Sequence, residues 1–157
     1  MTVTPQDCAR EVLETIPLIM RTIRSRMRAT PPMNVSVPQF RTLMFLQRHD
    51  GPSLSDVAEH LGLTLPSMSK LVDGLVGHGV VMRQPHPGDR RRVTLTLTAG
   101  GRSTLQTVRE AAQAHLAGMM STLPPDRRMV VVEAMRALQE VFAPDRAQAA
   151  ERVGGRT

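Results

Sequence analysis

The chain has no tryptophan, no tyrosine and only three phenylalanines in 157 residues. Ring stacking therefore cannot dominate its core, and nothing points to a site that clasps flat aromatic ligands. Eleven methionines take part of that space, since an unbranched thioether side chain adapts to irregular gaps. A single cysteine, Cys8, excludes an intrachain disulfide, and with Asp7 opposing Arg10 beside it an incidental thiol is the expected reading. No apolar run approaches the ~20 residues of a membrane span. The N-terminus lacks the basic stretch and apolar run of a secretory signal, so a cytoplasmic protein with no membrane partner is expected. The five histidines (His49, His60, His78, His86 and His115) are scattered without metal-ligand spacing. No nucleophile–base–orienter set is present, and Gly100-Gly101 lacks the rest of a phosphate-cradling loop. An enzyme, a cofactor and a metal centre are all without support.

What is present is positive charge of one kind. The net charge is +6, and every basic residue except Lys70 is arginine. Such a balance suits nucleic acid and anionic membranes equally, so the position of the charge decides. The chain is long enough for one domain, or for one compact domain plus an oligomerisation arm, and 41% apolar residues suffice for a core.

Apolar periodicity predicts helices over most of the chain. Val12, Ile16, Ile19, Met20, Ile23 and Met27 recur at helical steps within 6–29, where Pro17 predicts a kink or break. Ser36-Val-Pro-Gln39 reads as a capped helix start, followed by Phe40, Leu43, Met44 and Leu46 on an inward face to about His49. Asp50-Gly51-Pro52 stops that helix, and Ser53 begins the next, with Val57, Ala58 and Leu61 buried. Gly62 suits a left-handed helix terminus, and Thr64 caps a further helix with Pro66 in its first turn. Met68, Leu71, Val72, Leu75 and Val76 are its apolar stripe, and Gly79 ends it. Long helices are expected again from about 99 to 120 and over 125–142. The first carries Leu105, Val108, Ala112, Leu116 and Met119; the second carries Val131, Met135, Leu138 and Phe142.

Residues 54–77 thus follow the grammar of a helix–turn–helix. In that motif the front of the second helix enters the major groove. Here the front offers Thr64, Ser67, Ser69 and Lys70 and no acidic residue, an absence that favours a polyanion. The next segment, 83 to 101, strengthens the reading. It carries a turn, then Asp89 and three consecutive arginines, then alternation that places Val93, Leu95 and Leu97 on one strand face and Thr94 and Thr96 on the other. Arg83 is expected at the end of the first hairpin strand, among the residues that contact DNA. Arg90, Arg91 and Arg92 are expected at the tip and the start of the return strand. Arg91 would reach the minor groove, Arg90 and Arg92 would take phosphates, and Asp89 would brace the loop. The alternative is a winged-helix protein-interaction module that uses the same hairpin against an acidic partner without binding DNA.

Ser53-Leu-Ser-Asp-Val-Ala-Glu-His-Leu-Gly62, Ser67-Met-Ser-Lys-Leu-Val72, Asp89-Arg-Arg-Arg-Val and Leu97-Thr-Ala-Gly100 together resemble the MarR (multiple antibiotic resistance regulator) family. The resemblance centres on an Asp-x-Arg wing, Asp89 and Arg91, followed by Leu-Thr-x-x-Gly, here Leu97, Thr98 and Gly101. It implies a mainly α fold with a small β-hairpin wing (α+β), divided into an N-terminal dimerisation helix (1–30), a winged helix–turn–helix (35–98), C-terminal dimerisation helices (99–143) and a flexible tail (144–157). It implies a homodimer on pseudo-palindromic double-stranded DNA, often a repressor released by a small-molecule effector or an oxidant. The implied ligand pocket has Ile16, Met20, Phe40, Arg41 and Met44 as candidate walls. The apolar stripes of the first and last helices, which need burial, agree with an intersubunit interface.

Overall fold

Side-chain caps set the helix starts, which fixes where the chain turns. Thr4, Ser36 and Ser53 each accept a backbone N–H three residues on, and Asp7, Gln39 and Asp56 reach back to the cap residue's own N–H. Each pair satisfies two donors that a helix start otherwise leaves open. The Ser53 and Thr4 hydroxyls also donate to the carboxylates of Asp56 and Asp7 and, with the cap residues' N–H groups, hold both carboxyls below the usual carboxylate range. The computed structural model describes residues 2–31 and 33–142, and for Arg90 the backbone without the side chain. Among these residues the order is α1 Pro5–Arg28, α2 Val37–Arg48, α3 Leu54–Leu61, α4 Leu65–Gly77, β1 Val81–His86, β2 Asp89–Leu97, α5 Ala99–Met120 and α6 Pro125–Phe142. The expected tail, 144–157, lies outside the described residues.

The chain divides into two compact units, Met1–Leu116 and Ala117–Thr157. The first contains the core. Leu43 and Leu46 of α2, Val57, Ala58 and Leu61 of α3, and Met68, Val72 and Leu75 of α4 join Val81, Leu95 and Leu97 of the hairpin and Leu105 and Val108 of α5. Met27 extends the cluster to the end of α1. In the second unit α6 has no buried residue among those described.

Two expectations need refinement. α1 runs through Pro17 without the break, one of the two expected outcomes. The lost N–H is that which would bond to Leu13, whose side chain lies in solvent, so water can take the freed carbonyl and one missing bond does not end a 24-residue helix. The strand keeps its alternation of faces, but burial does not follow it. Val93 is 49% exposed although it shares a face with buried Leu95 and Leu97, while Thr94 on the other face is only 7% exposed. The cause is the segment before α3. Leu95 N–H donates to the Pro52 carbonyl at 2.9 Å, and Ser53 bridges Thr94, so this stretch lies along β2 like a short third strand. Gly51, at φ +57°, turns the chain into that position, where a Cβ would stand 3.4 Å from Thr94 Cβ.

Candidate nucleic-acid interface

The interface is built on α4 and the hairpin, and three local devices hold them. Gly62, at φ 69° and ψ 34°, ends α3 in the left-handed conformation and lets α4 start three residues later, at Leu65. The turn is therefore short, and Val57, Ala58 and Leu61 pack into the same core as Met68, Val72 and Leu75. At the other end of α4, Gly79 has φ 69° and His78 Nδ1 bonds the Gly74 carbonyl at 2.7 Å, which satisfies a terminal acceptor. The hairpin is then fastened to α5. Thr98 Oγ1 donates to the Gly79 carbonyl at 2.6 Å and accepts from Gly101 N–H at 2.9 Å. A Cβ on Gly101 would come within 1.9 Å of the Val80 carbonyl oxygen, so only glycine allows this crossing. The Leu-Thr-x-x-Gly pattern thus has a mechanical meaning: it locks the root of the hairpin to the helix that follows.

The first turn of α4 is exposed and carries no acidic residue. Thr64 accepts from Ser67 N–H at 3.4 Å and donates to Ser67 Oγ at 3.0 Å, so these two hydroxyls are partly engaged with each other. Ser67 keeps its own hydroxyl proton for an outside acceptor. Ser69 is half-buried and Lys70 is exposed. Leu65, which the sequence reading passed over, stands 50% exposed at the front of the helix. Its signal was available: an apolar residue between a cap and Pro66, outside the stripe of α4.

The arginines stand at the start of the return strand, beside the tip, but out of register with β1. Pro85 pairs with Val93 and His86 with Asp89, with the register shifting between Pro85 and His86. Arg90, Arg91 and Arg92 fall between those pairs and have no residue opposite on β1. They form an extended bulge on the return strand, while Pro87-Gly88 makes the turn itself. A bulge re-aims side chains and increases twist. Asp89 Oδ1 accepts from Arg91 N–H at 3.0 Å, and His86 Nδ1 accepts from Gly88 N–H at 3.0 Å, which ties down the turn. Arg91 and Arg92 are exposed; the side chain of Arg90 lies outside what is described. Arg83 is not at the strand end. It sits in the middle of β1, opposite Leu95, and its Nη1 lies 2.7 Å from Asp73 Oδ1 of α4. Asp73, in the third turn of α4, is a second residue that the sequence reading missed.

The expected pocket walls are only partly gathered. Phe40, Arg41 and Met44 line a cavity of ≈ 280 Å³ together with Phe45, Arg48, His49 and His60. Ile16 and Met20 of α1 are not among its walls; Ile16 is 40% exposed. Phe45 is the centre of this wall, with the His49 ring stacked at 4.0 Å and the His60 ring tilted at 4.4 Å. His49 Nδ1 also bonds the Phe45 carbonyl at 2.9 Å. Partial burial, reinforced by Arg41, His49 and Arg48, pushes the His60 pKa below its usual value. The fold therefore joins two histidines that are distant in sequence, yet no group of three metal-ligating side chains exists among the described residues. Among those residues no helix is long and apolar enough to cross a membrane. Cys8 is exposed.

The family model described as "MarR family" matches residues 33–92. The chain is 30% identical over 110 residues to YfiV of Bacillus subtilis (strain 168), an HTH-type transcriptional regulator, covering 70% of this chain and 69% of that protein. Among solved structures it is similar to RV1404 from Mycobacterium tuberculosis, with a TM-score of 0.78 and 27% identity over 90% of this chain and 97% of that one. It shares its fold with the transcriptional repressor CouR, solved on a 23-mer DNA duplex, at a TM-score of 0.64 and 21% identity over 86% of this chain and 92% of that one.

Proposed function

The chain belongs to the MarR family of transcription regulators, and from that premise we infer that it is a homodimeric, sequence-specific DNA-binding repressor acting on a pseudo-palindromic operator. The observation that carries this is the pairing of two surfaces. The front of α4 exposes Thr64, Ser67 and Lys70, and its first turn holds no acidic residue. The hairpin beside it carries three arginines in a bulge with no cross-strand partner. Thr64, Ser67, Ser69 and Lys70 approach base edges and phosphates in the major groove, with Leu65 available to a thymine methyl. Arg91 enters the adjoining minor groove, where narrow A·T-rich DNA attracts guanidinium, and Arg90 and Arg92 take phosphates. Asp89 holds the Arg91 backbone while the side chain is free to extend.

The apolar faces of α1 and α6 supply the homodimer contact. Leu13, Ile16 and Leu18 on α1 are exposed, as are Met129, Val130, Val132, Met135, Val141 and Phe142 on α6. A small-molecule effector acts from the cavity walled by Phe40, Arg41 and Met44, whose helix α2 packs against the helix–turn–helix core. CouR, the fold relative described above, has also been solved bound to p-coumaroyl-CoA, which supports effector control in this family. The work is that of a regulator in the cytoplasm, with no reaction catalysed. Selection of bound duplexes from a random pool tests the proposal. It is expected to return a pseudo-palindrome with half-sites about 10 base pairs apart, one helical turn. A pool without enrichment would refute it.

A further inference from the structure

The ion pair between Asp73 and Arg83 joins the two halves of the DNA reader. Asp73 lies four residues after Ser69 and three after Lys70, so it shares their face of α4. An uncompensated carboxylate there would face a duplex that carries one negative charge per ~1.7 Å of axis. Arg83 meets it at 2.7 Å. The strand register explains why Arg83 can do so. It shares a face of β1 with Val81, which is buried in the core cluster that also holds Met68, Val72 and Leu75 of α4, so the arginine extends along α4 rather than outward with the bulge.

We propose that Arg83 is a positioning residue: it neutralises Asp73 on the face of α4 that meets DNA and fixes the hairpin against that helix. This rests on the DNA-binding reading above and goes beyond it, because it moves Arg83 from the set that touches DNA to the set that makes the contact possible. Both partners are partly in water, with side chains 37% and 58% exposed, so the pair contributes little to folding stability and its effect falls on binding.

A double-mutant cycle on the duplex recovered by selection tests this, with affinity and its salt dependence read by mobility shift. Arg83→Ala is expected to weaken binding on the order of tenfold, as coupled charged neighbours do, and Asp73→Ala to change it by less than about twofold. In the Asp73→Ala background, Arg83→Ala is expected to cost less than about twofold. Arg83→Lys, which keeps the neutralising charge, is expected to retain most of the affinity. A repeated selection with Arg83→Ala is expected to relax base preference at the positions read by α4 while the thermal midpoint stays near that of the parent. The contrary result is an equal loss from Arg83→Ala in both backgrounds with a salt slope lower by about 1, the signature of a direct phosphate contact. That outcome overturns the positioning role and leaves DNA binding intact. A parent protein that selects no duplex overturns the DNA-binding reading, and this inference with it.

Discussion

The winged-helix segment and the outer helices obey the same periodicity rules and end in opposite states. In α2, α3 and α4 the apolar stripe is consumed: Leu43, Val57, Met68, Val72 and Leu75 are fully enclosed. In α1 only Met27 is buried, and in α6 nothing is, with Phe142 72% exposed. α5 shows both behaviours along one helix. Leu105 and Val108 are buried, while Leu116 is half-buried and Met119 exposed. The lesson is that a helical stripe announces that a face needs covering without saying what covers it. One chain completes the DNA-reading half of this protein. The outer helices leave apolar side chains in solvent, Leu13 and Leu18 on α1 and Met129 and Phe142 on α6 among them.

Core truncation is the strongest way to sharpen that contrast. Leu43→Ala is expected to lower unfolding free energy by about 2–5 kcal/mol, the cost of a cavity in a closed core. Leu138→Ala in α6 is expected to cost less in dilute protein and to weaken self-association, read by sedimentation. Equal losses at all concentrations would erase the distinction. Gly101→Ala is next. Its Cβ would collide with the Val80 carbonyl, and overpacking against backbone costs about 1–3 kcal/mol or more. Denaturant unfolding checks the size, and DNA affinity is expected to fall with it because the hairpin root must move. Arg91→Ala leaves the fold alone and is expected to weaken specific binding by about 1–3 kcal/mol in a mobility-shift titration; unchanged affinity removes Arg91 from the groove.

The smallest effect is one of pH. The folded pKa of His60 is lowered, so the unfolded chain takes up a proton first as the medium acidifies. The resulting stability is present above pH ~6.5 and is lost as pH falls through the folded value, amounting to less than ~1 kcal/mol because the ring is partly in water. Unfolding curves at pH 7.5 and 5.5 are expected to differ less in His60→Asn than in the parent. An equal difference would show that other groups carry the dependence.

What was legible in the sequence follows from range. Ser36 with Gln39, Thr64, and Gly62 act within four residues, and each cap or turn forms where the local pattern puts it. The Asp-x-Arg and Leu-Thr-x-x-Gly spacings marked the hairpin root and the charge cluster for the same reason. The features that escaped are tertiary. Thr94 is buried because residues 52 and 53 lie along its strand, which alternation cannot foresee. Phe45 meets the rings of both His49 and His60 because α2 packs on α3, so histidines that look scattered share one wall. Asp73 looked like an ordinary surface residue until β1 brought Arg83 beside it. Even the arginine triplet changed character: its charge was plain, but its bulge depends on how Pro85 and His86 pair.

The central claim is that α4 and the arginine bulge read one duplex together. A hydroxyl-radical footprint of the parent protein on its selected duplex, beside that of Arg91→Ala, tests it most directly. The account predicts two protected half-sites about one helical turn, roughly 34 Å, apart. Each is flanked by a minor-groove protection that Arg91→Ala erases while the central protections remain. Flanks that persist in Arg91→Ala, or protection without discrete half-sites, would contradict it.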